Sequence, residues 1–324
     1  MFYFFFESWR SKNDPIVIWL SGGPGGSSSI ALFYEHGPFH ITNDLKFRKN
    51  DYSWAQVSNI IYVDQPLGAG FSYAKDYNDI RHNQTSASDD LYNFLQEFFK
   101  VHPQFIENNF FIIGQSHAGN SGPALASRIQ QGKRENVGID IKLKGLAIGN
   151  GLTNPRIQFP AQLDYALREE LIEKSNKPHI ENIVSNCESS LKACETGGED
   201  ECRVAYFDCH NIKREILKIA GNRNSYDIRK WCVGSECYDF SNIERFLSEK
   251  SVRNTLGVGE VEFALLNTTV YLAMMGDIMK NHEIGIPALL ENDIRVLIYA
   301  GDRDLICNWI GKPLCMIEIL TTSN

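Results

Sequence analysis

Ser116 stands in Ile113-Gly114-Gln115-Ser116-His117-Ala118-Gly119, and a serine offered at the tip of a tight strand-to-helix turn can act as a nucleophile toward an acyl carbon. The apolar run Phe110-Phe111-Ile112-Ile113 before it predicts a buried strand, and Ala118 to Ile129 after it predicts a helix. Glycine at 114 and 119 suits such a turn, because a side chain there collides with the neighbouring strand or helix. The hydroxyl is then exposed, with the next backbone N–H aimed at a developing oxyanion. The strict motif has a second glycine at position 118, where this chain has Ala118. The pattern alone therefore also fits an ordinary strand-turn-helix, and its surroundings decide.

Two further stretches bear on that chemistry. Ile16-Val17-Ile18-Trp19-Leu20 predicts a core strand ending in Ser21-Gly22-Gly23-Pro24-Gly25-Gly26-Ser27-Ser28-Ser29. A glycine-rich turn of this kind can cradle a phosphate, but no Gly-Lys-Ser/Thr ending or acidic ribose ligand follows. Beside a nucleophile elbow, a Gly-Gly turn after an early strand supplies the second oxyanion donor. Late in the chain Ile294 to Ala300 predicts a strand running into Gly301-Asp302-Arg303-Asp304. Carboxylates at the C-terminal end of a strand are either a solvated turn or the acid of a catalytic triad.

The elements around these residues alternate strand and helix. Met1 to Phe6, Asn59 to Val63 and Leu143 to Ile148 predict strands, and Ala87 to Val101 a helix with Leu91, Phe94, Leu95, Phe98 and Phe99 on one face. That alternation predicts an α/β fold, a mostly parallel sheet with helices on both faces. From Pro155 to Val258 the chain turns helical, charged and cysteine-rich, which predicts an inserted cap. The expected division is residues 1–154 and 259–324 for the core and 155–258 for the cap.

With 324 residues and 43% hydrophobic content the chain can bury a large core. A net charge of −8 and the lack of a basic run argue against a nucleic-acid partner. Six of the eight cysteines, Cys187, Cys194, Cys202, Cys209, Cys232 and Cys237, fall in the cap. None has the C-x-x-C spacing of a structural zinc site, so disulfides and an oxidising compartment are expected, with no metal and no cofactor. Sequons at Asn83 and Asn267 fit a secreted or vacuolar glycoprotein. The apolar start lacks the parts of a signal peptide and is far too short to span a bilayer.

Taken in order, Ser21 to Ser28, Val63-Asp64-Gln65-Pro66 with Gly68 to Tyr73, Gly114 to Gly119, Ala147 to Gly151, Tyr226 to Lys230, and Tyr299 through Asp304 to Trp309 resemble the serine carboxypeptidases, most closely the plant members. The resemblance implies an α/β-hydrolase fold that removes C-terminal residues from peptides through a Ser, Asp, His triad. It implies Ser116 as nucleophile, Asp304 rather than Asp302 as acid, and Gly23 with the His117 N–H as oxyanion donors. It places Ser21, Gly22, Glu35 and Gln115 at the substrate's terminal carboxylate and Tyr226 in the substrate pocket. It further implies the pairs Cys187 with Cys209, Cys194 with Cys202, and Cys232 with Cys237, leaves Cys307 a free thiol near the site, and offers no counterpart for Cys315.

Departures from the family pattern set further expectations. All eight histidines precede Asp304, whereas the triad order puts the base after the acid. The chain is thus expected to carry nucleophile and acid without the base, as a form lacking both ends of the pattern and the last core elements. Gln115 stands where the family has a glutamate and Ser21 where it has an asparagine. A glutamine amide donates at any pH, so carboxylate binding is expected to lose its acid dependence. Gly26 and Leu266 stand where a disulfide would be. The alternatives to a carboxypeptidase are an inactive relative that only binds peptides and an acyltransferase using the same triad.

Overall fold

A computed structural model describes residues 1–234 and 236–312; Cys315 lies outside them. Six strands form the main sheet: β1 (Tyr3–Phe6), β2 (Ile16–Leu20), β3 (Asn59–Val63), β4 (Phe110–Gln115), β5 (Leu143–Gly149) and β6 (Arg295–Tyr299). Their order is β1-β3-β2-β4-β5-β6, and every neighbouring pair is parallel except β1 with β3. The strands β2 and β3 are buried throughout. Covered on both faces, they read as continuous apolar runs, which is why the sequence exposes them so clearly.

Helix α1 (Gln84–Val101) starts three residues before the expected Ala87, because the Asn83 side chain caps it by accepting the Ser86 N–H. Helix α2 (Ala118–Glu135) runs on past Ile129 and ends where Asn136 takes a left-handed conformation, φ 54°. These two helices pack Leu91, Leu95, Phe98, Leu125 and Ile129 against Ile18, Leu20, Phe110 and Ile112 on one side of the sheet. Each such side chain, fully buried, contributes about 1.5–3 kcal/mol. On the other side Val17, Trp19, Ile60 and Tyr62 pack with Phe33 and Phe71.

The helical insertion is built on α3 (Lys177–Thr196) and α4 (Glu199–Ile219), a hairpin stapled by Cys187–Cys209 and Cys194–Cys202. A third disulfide, Cys232–Cys237, follows a small hairpin of Arg223–Asn224 and Asp227–Trp231 that composition did not reveal. All three pairings are those implied by the family resemblance. Ile180, Ile183, Leu191, Tyr206, Ile212 and Ile216 share a cluster with Met275, Ile278 and Leu305, so the insertion rests on the late part of the core. The helix Ser241–Ser248, grouped with the insertion by composition, instead packs Ile243 and Leu247 with the sheet residues Val17 and Trp19. At the site of the missing disulfide, Gly26 and Leu266 form a backbone bridge, flanked by Ser27 N–H to the Leu265 carbonyl at 2.9 Å. Among the described residues no helix is long and apolar enough to cross a membrane.

Candidate active site

The sheet order reverses around β2, and the loops leaving β2, β4, β5 and β6 gather outside their C-terminal ends, where open α/β sheets place their sites. Ser116 occupies the turn between β4 and α2 with φ 58°, a conformation that costs a non-glycine residue about 1–3 kcal/mol. Its backbone is pinned from two sides. The Ser116 N–H donates to the Gly149 carbonyl at 3.1 Å, and the Ser116 carbonyl accepts from Leu152 and Gly119, both at 3.0 Å. The glycines are sterically required: a Cβ on Gly114 would lie 2.4 Å from the Leu20 carbonyl oxygen, and one on Gly119 would lie 2.2 Å from that of Leu152. A Cβ on Gly22 would lie 2.8 Å from Cβ and 3.1 Å from Oγ of Ser116, so the glycine-rich turn runs directly against the hydroxyl. Gly23 follows with φ 116°, open only to glycine.

Asp304 is buried at 7% exposure, whereas Asp302 is exposed and faces Arg303 at 3.4 Å. One Asp304 oxygen accepts from Asn150 Nδ2 at 2.8 Å; the other accepts from the Ile306 N–H at 2.8 Å. Burial pushes this carboxyl up to about 6, against the opposing pull of those hydrogen bonds. Asn150 therefore clamps the acid loop. Its N–H donates to the Tyr299 carbonyl at 2.9 Å, and its Oδ1 accepts from Gly301 at 3.1 Å, one residue from the carbonyl that holds Ser116. Sequence reasoning quoted Gly149-Asn150-Gly151 as a motif but gave Asn150 no role. An asparagine that takes φ 43° between two glycines at a strand end was the available signal.

Of the four residues expected at a substrate carboxylate, Gly22 lies against Ser116, and Gln115, next to Ser116 in the chain, is joined to Glu35. Gln115 Nε2 donates to Glu35 Oε1 at 3.0 Å, and burial holds the Glu35 carboxyl above its usual range. The Ser21 hydroxyl is buried without a hydrogen-bond partner. Tyr226 is 45% exposed, and its hairpin is stitched to the acid loop by Leu305 N–H to the Ser225 carbonyl and Ile228 N–H to the Arg303 carbonyl, both 3.0 Å. The His117 ring, 4% exposed, turns behind the elbow, with Nε2 at 3.2 Å from Gln84 Nε2. The free thiol of Cys307 is buried and pushed up to about 12. Asn83 and Asn267 both serve as helix N-caps through their side-chain oxygens, which leaves the oxygen's role intact if the amide nitrogen carries a sugar.

Next to Glu35, His36 stacks on Trp54 at 4.1 Å and meets Trp19 at 4.2 Å, while its Nδ1 lies 3.0 Å from the Tyr62 hydroxyl. Burial lowers its ring to about 3 from the ordinary 6.5. Below pH 6.5 the unfolded chain binds a proton that the folded chain refuses, so this histidine's contribution is complete above 6.5 and is lost as pH falls toward 3. At pH 4.5 that amounts to about 3 kcal/mol. In His36→Gln, the drop in stability between pH 7 and pH 4.5 is expected to shrink by about that amount, as read from urea midpoints. An unchanged drop would show that this ring is not the titrating group.

The family model for serine carboxypeptidases matches residues 1–322. The chain belongs to the serine carboxypeptidase family. Serine carboxypeptidase 3 of Hordeum vulgare is 55% identical over 312 residues, covering 96% of this chain and 61% of the relative. Serine carboxypeptidase-like 48 of Arabidopsis thaliana is 55% identical over 321 residues, covering 98% and 63%. The chain thus spans about three fifths of the length of these curated relatives. Among solved structures, the prohormone-processing carboxypeptidase Kex1(delta)p of Saccharomyces cerevisiae superposes with a TM-score of 0.85 at 28% identity, covering 96% of this chain and 71% of that one. The α/β-hydrolase-like fold expected of a serine carboxypeptidase is the fold described above, with its three disulfides in the helical region.

Proposed function

We propose that this protein is a serine-type carboxypeptidase that removes C-terminal residues from peptides through an acyl-enzyme on Ser116. The observation that carries the reading is the strained, doubly pinned Ser116 lying against the Gly22-Gly23 turn. In the reaction the Ser116 oxygen attacks the scissile carbonyl carbon, and the carbonyl oxygen takes the negative charge between the N–H groups of Gly23 and His117. The leaving amine takes up the proton that the Ser116 hydroxyl gives up, and water then hydrolyses the acyl-serine ester, returning a proton to the Ser116 oxygen. Asp304 would orient and stabilise a cationic base. Three disulfides, two sequons and the family support a route through the secretory pathway to a secreted or vacuolar glycoprotein.

Four of the eight histidine rings, all of them among the described residues, are engaged elsewhere: His36 with Tyr62, His117 with Gln84, His210 with the Tyr206 carbonyl and His282 with the Asp277 carbonyl. No described histidine hydrogen-bonds the Ser116 hydroxyl, which favours a second reading, a peptide binder that does not turn over. Release of the last residue from a blocked dipeptide, compared with transfer from a glucose ester, tests the first reading and separates it from an acyltransferase. Binding without release would support the second.

The same pocket argues for the opposite of the pH response expected from Gln115 alone. Gln115 donates at every pH, but Glu35 still titrates and its carboxyl is raised by burial. An incoming carboxylate is repelled by ionised Glu35 and accepted by the protonated form, so affinity for a product-like peptide acid is expected to rise as pH falls. Glu35→Gln should leave that affinity nearly flat between pH 4 and 7. A variant that keeps the full acid rise would move the effect to another group.

A further inference from the structure

Behind the elbow a closed circuit of hydrogen bonds starts and ends at the nucleophile turn. Helix α5 (Thr268–Ile278) carries the buried Asp277, one of whose carboxylate oxygens accepts the Gln84 N–H at 2.9 Å. Gln84 is the first residue of α1, where backbone N–H groups lack a partner within the helix and a negative charge is favoured. Lys280 Nζ lies 3.4 Å from the other Asp277 oxygen, and His282 Nε2 lies 3.5 Å from the one that Gln84 uses. From this fixed backbone, Gln84 extends its Nε2 to within 3.2 Å of His117 Nε2. The second arm runs through the loop after β5. The Asp277 carbonyl lies 2.8 Å from His282 Nε2, the His282 N–H donates to the Thr153 carbonyl at 2.8 Å, and the Leu152 N–H donates to the Ser116 carbonyl at 3.0 Å. Two arms from one aspartate therefore meet at the adjacent residues Ser116 and His117. Burial lowers the His117 ring to about 3, so the ring is neutral and its Nε2 accepts from the Gln84 amide.

We propose that Gln84 is a positioning residue: through the His117 ring it fixes the peptide N–H that serves as oxyanion donor, while Asp277 holds Gln84 in place. Such a donor works only at about 2.7–3.1 Å from the position where the charge develops. A tether that limits its drift therefore acts on the acylation step and not on the bound ground state. The inference rests on the reading of Ser116 as nucleophile and of the His117 N–H as oxyanion donor.

Saturation kinetics of fluorophosphonate labelling test it, because they separate the labelling rate at saturation from the concentration that gives half of it. Gln84→Met keeps the length of the side chain and removes the donor. It is expected to lower the saturated rate about tenfold, a part of the hundredfold or more that a whole oxyanion donor contributes, with the half-saturating concentration within about twofold. Gln84→Glu, to which the ring's other tautomer can donate, should recover most of the rate. In a His117→Phe background Gln84→Met should add nothing, since the tether is already gone. Leu95→Val, at a core position three turns further along the same helix, should leave the saturated rate unchanged. If Gln84→Met does not fold, Gln84→Ser, too short to reach the ring, takes its place with the same expected loss. If labelling responds in this way but no peptide is hydrolysed, the inference stands and the carboxypeptidase reading falls. If peptides are hydrolysed and the variant labels at the wild-type saturated rate, or changes only the half-saturating concentration, the inference falls and the function stands. An equal loss of rate in Leu95→Val, or an undiminished effect in the His117→Phe background, would make the circuit merely structural and overturn the inference. A wild-type protein that takes no label at Ser116 overturns both.

Discussion

Ser116→Ala is expected to abolish labelling by a fluorophosphonate and, where a base completes the triad, to lower C-terminal hydrolysis by roughly four to six decades, while leaving peptide affinity within about twofold. The size follows from the role: losing the nucleophile of a triad leaves only the rate supplied by binding and the oxyanion hole. The unchanged affinity follows from the proposed roles of Gln115, Glu35 and Ser21, none of which uses the Ser116 hydroxyl: Gln115 is hydrogen-bonded to Glu35 and the Ser21 hydroxyl has no partner. Alanine fits the turn's volume, so the variant should fold. It inherits the same φ of 58° and the same backbone bonds to Gly149 and Leu152. A variant that keeps its hydrolytic rate would mean that another residue carries the acyl group.

Gly119→Ala carries the largest expected effect on stability. The added Cβ would sit 2.2 Å from the Leu152 carbonyl oxygen and 2.6 Å from its carbon, both backbone atoms of the loop after β5. That loop cannot retreat alone. Leu152 donates to the Ser116 carbonyl, and Asn150, two residues earlier, holds Asp304. Overpacking of this kind costs about 1–3 kcal/mol where side chains can yield, and more where backbone must move. A loss of about 3 kcal/mol or more is expected in chemical denaturation, accompanied by lower labelling of Ser116 because nucleophile and acid shift apart. Gly301→Ala is the matched comparison: the nearest atoms to its Cβ lie 3.9 Å away, so it should change stability little. Equal behaviour of the two variants would contradict the account of the close helix–loop contact.

Much of this was legible in the residues, for reasons that differ by element. The strands β2, β3 and β4 were visible because central parallel strands are covered on both faces and must be apolar along their length. The elbow was visible because glycines at 114 and 119 have a steric cause. The disulfide pairs came from the family pattern, since spacing alone leaves the connectivity of six cysteines open. Other features depend on distant contacts. Asp304 and Asp302 look alike in sequence, and what separates them is the Asn150 amide reaching the former from β5. The small hairpin at Arg223–Trp231 was hidden because its strands are short and largely polar. The direction of the His117 ring depends on Gln84, at the start of another helix.

The central proposal is that Ser116 is the nucleophile, and peptide mapping after fluorophosphonate treatment of the protein purified from its natural source tests it most directly. The account predicts a single adduct on the peptide containing Gln115-Ser116-His117, blocked by prior incubation with a product-like peptide acid. A folded protein that takes no label, or takes it on a serine outside this turn, would contradict the account.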